Sequence, residues 1–139
     1  MEALTTIRLK NQFSELERIY QALVEFGKTN KIAPQILDSI NLALEEIITN
    51  IISYAFTGNT ERWIVVRLFL EGHQLTAEIE DDGKPFNPLN VPDPNIHLSL
   101  EDRPIGGLGI FLTKKMVDHL EYLQLDGKNL VRLKKNLPR

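Results

Sequence analysis

The chain has 139 residues, 42% hydrophobic and 25% charged, enough for one compact domain around a single core. Its formal net charge of -3 carries no basic footprint for nucleic acid, and the lack of cysteine excludes disulfides and thiol catalysis. No apolar run approaches the ~20 residues that span a bilayer, and the opening MEALTTIRLKNQFSELERI has no basic-then-apolar leader pattern. The expectation is a cytoplasmic protein, one domain over residues 1–139, with no membrane and no direct nucleic-acid contact.

TTIRLK alternates and predicts a short first strand. From about Asn11 to Thr29, the apolar residues Phe13, Leu16, Ile19, Tyr20, Leu23 and Phe26 recur at helical spacing. Pro34 can open the next helix, which runs to about Ala55. In it Ile40, Leu44, Ile47, Ile48 and Ile51 fall in one stripe at about 100° per residue, joined by Ile36, Leu37 and Ala55. RWIVVRLFLEG and QLTAEIEDDG predict an antiparallel hairpin turning at Gly72-His73. Residues 83–107 then hold five of the seven prolines, a loop long enough to suggest a functional role. GLGIFLTKKMVDHL predicts a third helix, and EYLQLDGKNLVRLKKNL a last hairpin turning at Asp126-Gly127. This order suggests an α+β fold: a two-layer α/β sandwich with helices on one face of a mostly antiparallel mixed sheet.

Three polar stretches interrupt this pattern. Glu46 and Asn50 lie four residues apart on the flank of the apolar stripe, about 40° from each other, so a carboxylate and an amide border buried surface. They are either rim residues that reach water or the wall of a cleft. In EIEDDGKPFNP two acids end a strand before a glycine. That is a polar turn, or a site where Asp81 accepts a hydrogen bond from a ligand amino group while Gly83 lets a flat ring approach the backbone. In IGGLGIF three glycines in four positions precede an apolar helix. Backbone N–H groups at such a helix start can cradle phosphate, and the same glycines can hinge the proline-rich loop. The stretch has neither the Gly-Lys-Ser/Thr of a P-loop nor a surrounding parallel βαβ unit.

In this order the motifs resemble the GHKL ATPase superfamily. At this length, with DDGKPFNP and GGLGIFLTKKMVD, the chain most resembles the RsbW/SpoIIAB-type anti-sigma factor serine kinases, over nearly its whole span. The resemblance implies the Bergerat ATP-binding fold and the cofactors ATP and Mg²⁺. It implies Glu46 as general base and Asn50 as Mg²⁺ ligand. Asp81 and Gly83 would meet the adenine, and Gly107, Leu108 and Gly109 would wrap the phosphates. The proline-rich segment corresponds to an ATP lid, from which Arg103 could reach a terminal phosphate. Asn129, in a Gly-Lys-Asn where many relatives have Gly-Thr, could donate near the adenine; Tyr54 stands where some relatives carry His. The function so implied is a protein-serine kinase and anti-sigma factor. Its partners would be a STAS-domain anti-anti-sigma protein, an RNA polymerase sigma factor and a second copy of the chain as a homodimer. The alternative is a non-catalytic ATP-gated binding module. A histidine-kinase fragment lacks support, since no helical dimerisation segment with a phosphoacceptor His is present.

Overall fold

The computed structural model describes residues 3–56, 58, 60–90 and 107–138. Strand β1 (Ala3–Lys10) leads through a 3-10 turn into helix α1 (Leu16–Asn30), followed by helix α2 (Pro34–Tyr54). The hairpin of β2 (Trp63–Glu71) and β3 (Gln74–Asp81) comes next, then α3 (Gly107–Met116), β4 (His119–Leu125) and β5 (Lys128–Asn136). The five strands form one sheet in the order β1-β2-β3-β5-β4. All four neighbouring pairs are antiparallel, so among the described residues the sheet is antiparallel throughout rather than mixed. The connection from β3 through α3 places β4 on the far edge, and the final hairpin brings β5 back beside β3.

Pro34 occupies the first turn of α2, where its missing N–H is no loss. The stripe read from the sequence is the buried face: Leu37, Ile40, Leu44, Ile47, Ile48 and Ile51 lie in the core. They meet the inward residues of the sheet, including Ile64, Val66, Leu68, Leu75, Ile79 and Leu133. Each such side chain is worth about 1.5–3 kcal/mol when fully buried. Helices α1 and α2 approach closely at Gly27, where a Cβ would collide with the Leu37 side chain. The opposite face of the sheet carries ion pairs, among them Arg132 with Glu78 and with Glu121, both at 2.8 Å.

Two boundaries differ from expectation. Helix α1 starts at Leu16 rather than near Asn11, and Phe13 sits exposed in the 3-10 turn. There the Glu15 carboxylate accepts the Lys10 N–H at 2.9 Å and holds the strand end in a tight bend. Helix α3 stops at Met116, so His119 and Leu120 belong to β4 and not to a helix end. The sheet wins because the Asp118 N–H donates to the Lys134 carbonyl at 2.9 Å and Leu120 pairs with Leu133.

Candidate functional site

Helix α2 is the spine of the site. Glu46, Asn50 and Tyr54 follow one another at four-residue spacing along the same flank. Each meets a different part of the molecule.

Glu46 is half-buried, and its carboxylate lies against Gly109 in the first turn of α3, where a Cβ would overlap it. Burial raises its pKa above the usual carboxylate value. Thr113, fully buried one turn further along α3, donates its hydroxyl to the Gly109 carbonyl at 2.9 Å and so fixes the peptide facing Glu46. Asn50 is 4% exposed, and among the described residues its side-chain N–H₂ group has no hydrogen-bond partner. A buried amide left so costs about 1–3 kcal/mol, which is a reason to look for a ligand. Its carbonyl oxygen is a hard neutral donor. No group of three His, Cys, Asp or Glu able to hold a metal occurs among the described residues. That donor set fits Mg²⁺ held largely by phosphate and water oxygens, and does not fit an all-protein metal cage.

At the C-terminal end of α2 the loop after β3 closes in. The Lys84 N–H donates to the Ala55 carbonyl at 2.8 Å. Gly83 packs on the same carbonyl, with the oxygen 2.5 Å from where its Cβ would be. The Tyr54 and Phe86 rings stack at a tilt, 5.6 Å between centroids. Gly83 is thus required by packing against the helix end, whatever else it does.

Asp81 owes its position to strand parity. Leu75, Ala77 and Ile79 are the inward residues of β3, and the same alternation turns Asp81 inward. It is 3% exposed. One oxygen, Oδ1, accepts the Gly83 N–H at 2.9 Å and the Asn129 side-chain N–H at 3.0 Å. Among the described residues Oδ2 accepts no hydrogen bond from a side chain. Burial raises the Asp81 pKa; the bonds from Asn129 and Gly83 work against it, while Asp82 and Glu80 add to it. Asn129 stands directly across the ladder from Asp81.

The structure therefore gathers Glu46, Asn50, Asp81, Gly83, Gly109 and Asn129 around one helix. Gly107 and Leu108 open α3, but their side-chain surroundings, like the whole of Arg103 and the proline-rich segment 91–106, lie outside the described residues. Tyr54, Phe86, Thr113 and Tyr122 escaped the sequence reading as a connected set. For Tyr54 a signal existed, since it extends the Glu46–Asn50 spacing by one turn.

The sequence profile of the histidine kinase-like ATPase domain matches residues 9–135. The chain belongs to this family. Membership carries ATP binding with it. Two curated relatives are a serine/threonine-protein kinase BtrW from Bordetella bronchiseptica and a serine-protein kinase RsbW from Listeria monocytogenes. The first is 30% identical over 95 residues, 68% of this chain and 67% of the relative. The second is 26% identical over 102 residues, 70% of this chain and 65% of the relative. The chain thus spans about two thirds of the relatives it matches. Among solved structures, the fold matches a Mycobacterium tuberculosis protein crystallised as its RsbU and RsbW domains. The TM-score is 0.71 at 16% identity, covering 99% of this chain and 33% of that one. It also matches the Acinetobacter baumannii histidine kinase AdeS, with a TM-score of 0.50 at 17% identity, covering 99% of this chain and 70% of that one. At such identities these show the shared fold. Among the described residues no helix is long and apolar enough to cross a membrane.

Proposed function

We propose that the protein is an ATP-dependent protein-serine kinase that also acts as an anti-sigma factor. One observation carries the reading: a half-buried carboxylate, Glu46, lies against the glycine turn that opens α3, one helical turn from the buried Asn50, whose side-chain N–H₂ has no partner among the described residues. A base of raised pKa beside a metal-competent amide is the pairing that phosphoryl transfer to a hydroxyl needs. The names of the two curated relatives, both serine kinases, support it.

In this reading Asp81 accepts the amino group of adenine on Oδ2, and Gly83 keeps the loop low enough for the ring. The backbone of Gly107, Leu108 and Gly109 surrounds the phosphates, with Arg103 reaching the terminal one. Asn50 would hold Mg²⁺, which would supply neutralisation of phosphate charge. The serine oxygen of the acceptor attacks the γ-phosphorus, and Glu46 takes the hydroxyl proton. The bond from phosphorus to the bridging oxygen breaks, releasing ADP. The chain's own contribution is positioning, exclusion of water and the proton held at Glu46. The acceptor we assign is a STAS-domain anti-anti-sigma protein. The second partner is an RNA polymerase sigma factor, and the working form is a homodimer.

ATP binding, measured by calorimetry with and without Mg²⁺ on wild type and Asp81→Asn, tests the site. Asparagine keeps the bonds to Gly83 and Asn129 but turns an N–H₂ group toward the ligand in place of Oδ2, so binding should be lost. No binding by wild type at millimolar ATP would sink the reading. Glu46→Gln then separates a kinase from a purely ATP-gated binding module. The kinase loses acceptor phosphorylation and retains ATP binding, whereas the module regulates its partner unchanged.

A further inference from the structure

The side-chain amide of Asn129 is 2% exposed and has no hydrogen-bonding capacity left for a ligand. Its N–H₂ end faces three acceptors: Asp81 Oδ1 at 3.0 Å, the Lys84 carbonyl at 3.0 Å and the Gly83 carbonyl at 3.3 Å. Its oxygen faces two donors, the Phe86 N–H at 3.4 Å and the hydroxyl of Tyr122, which donates to it. The orientation of an Asn amide is usually a matter of assignment. Here it is forced, because the flipped amide would set its oxygen against a carboxylate and two carbonyls, and its N–H₂ against a backbone N–H. Tyr122 reaches this point from the inward face of β4, where it pairs with Val131.

We propose that Tyr122 and Asn129 are positioning residues for Asp81. The Tyr122 hydroxyl orients the Asn129 amide, the amide occupies Asp81 Oδ1, and Oδ2 is left as the one acceptor presented to a ligand N–H. The same amide ties down the Gly83 and Lys84 carbonyls, so one side chain sets both the carboxylate and the loop that covers it. Neither residue touches the ligand. This differs from the role expected for Asn129, that of a direct donor near the adenine. It rests on the reading of the site as a nucleotide pocket. The two donors on Oδ1 also offset part of the penalty that burial puts on the charged carboxylate.

ADP is the probe, since its binding needs no acceptor protein. Calorimetry is run on wild type, Tyr122→Phe, Asn129→Asp and Asp81→Asn, at about pH 8 and about pH 5.5, with a thermal melt of each. Tyr122→Phe removes one hydroxyl and keeps the ring. It should weaken ADP about five-fold, the worth of one hydrogen bond acting through the amide, while the melt keeps its wild-type shape. Asn129→Asp should weaken ADP at least about thirty-fold at the higher pH, because two carboxylates then face each other, and the deficit relative to wild type should shrink at the lower pH as they share a proton. The other charged groups acting on Asp81 are Glu80 and Asp82. Glu80 is paired with Arg67 and Lys128, and Asp82 with Arg62. If wild type binds ADP, Asp81→Asn abolishes binding and Tyr122→Phe binds as wild type, the positioning role is overturned and the nucleotide site stands. A deficit in Asn129→Asp that does not change with pH also overturns it. If wild type binds no ADP, both fall.

Discussion

Replacing Gly109 by alanine separates stability from function, and the structure gives the reason. A Cβ at 109 overlaps the Glu46 carboxylate, the far end of a flexible side chain. Alanine gains about 0.5–1 kcal/mol over glycine in a helix. Displacing the Glu46 tip costs about 0.5–1.5 kcal/mol in rotamer strain. The two nearly cancel, so the melting temperature should move by no more than a few degrees. Gly83→Ala is the contrast. Its Cβ meets the Ala55 carbonyl oxygen at 2.5 Å, and that oxygen is already held by the Lys84 N–H at 2.8 Å. Backbone cannot rotate aside, so this variant should lose about 1–3 kcal/mol, the usual cost of overpacking. In Gly109→Ala the displaced carboxylate enters water, and its raised pKa should fall back toward the ordinary 4.5, read by carbon NMR of the labelled carboxyl. A base moved by about 1 Å should also cost about a hundred-fold in phosphoryl transfer. Unchanged titration of Glu46 in Gly109→Ala, or a loss of stability in Gly109→Ala as large as in Gly83→Ala, would refute this contact.

Three other outcomes follow from single contacts. Because the folded-state pKa of Glu46 is raised, the native state binds its proton more tightly than the unfolded chain does, and its stabilising contribution is full below about 4.5 and lost as pH rises through the folded pKa. Glu46→Gln should therefore be more stable than wild type in urea at neutral pH, with the gain gone near pH 4; an equal gain at both would contradict the titration. Thr113→Val keeps the packed methyl and removes the bond to the Gly109 carbonyl, at a cost of up to about 1 kcal/mol, and chemical denaturation that found no loss would show the bond to be idle. On the outer sheet face, Arg132→Leu breaks the pairs with Glu78 and Glu121 and should lose up to about 1 kcal/mol at low salt, shrinking at about 0.5 M salt; a salt-independent loss would point to packing of the alkyl stem.

The fold was legible where one hydrophobic period dominates. The α2 stripe and the alternation of β3 need only local spacing, and both appear as read. Boundaries failed where two patterns share residues. Val117 and Leu120 fit a helix continuing from Ile110, but Leu120 equally fits the inward row of β4 with Tyr122, and the ladder with β5 decides between them. Phe13 fits the helical row of α1, yet the bend at Glu15 takes it out of the core. Local spacing cannot show either event, because each depends on a partner distant in sequence or on a side-chain bond.

The site divides the same way. Glu46 and Asn50 could be paired from their spacing, and the position of Asp81 was implicit in the alternation Leu75, Ala77, Ile79. The turn at Asp126-Gly127, both with positive φ, fixes the register of β4 on β5 and so puts Tyr122 opposite Val131. The missing step was that β5 lies beside β3, two strands that are not consecutive in the chain; without it Asn129 has no reason to meet Asp81. Helix packing alone brings Gly109 to Glu46. Yet a physical criterion does single out the region once burial is known. Among the described residues the buried polar side chains are Asn50, Asp81, Thr113 and Asn129. One lies on the Glu46 flank, one holds the peptide facing Glu46, and two face each other at the end of the sheet. Each occupies a place that an apolar residue would fill at lower cost. These four groups cluster about the Glu46 flank and the Asp81 loop, and among the described residues the N–H₂ group of Asn50 has no partner, so this is where a ligand would repay the cost.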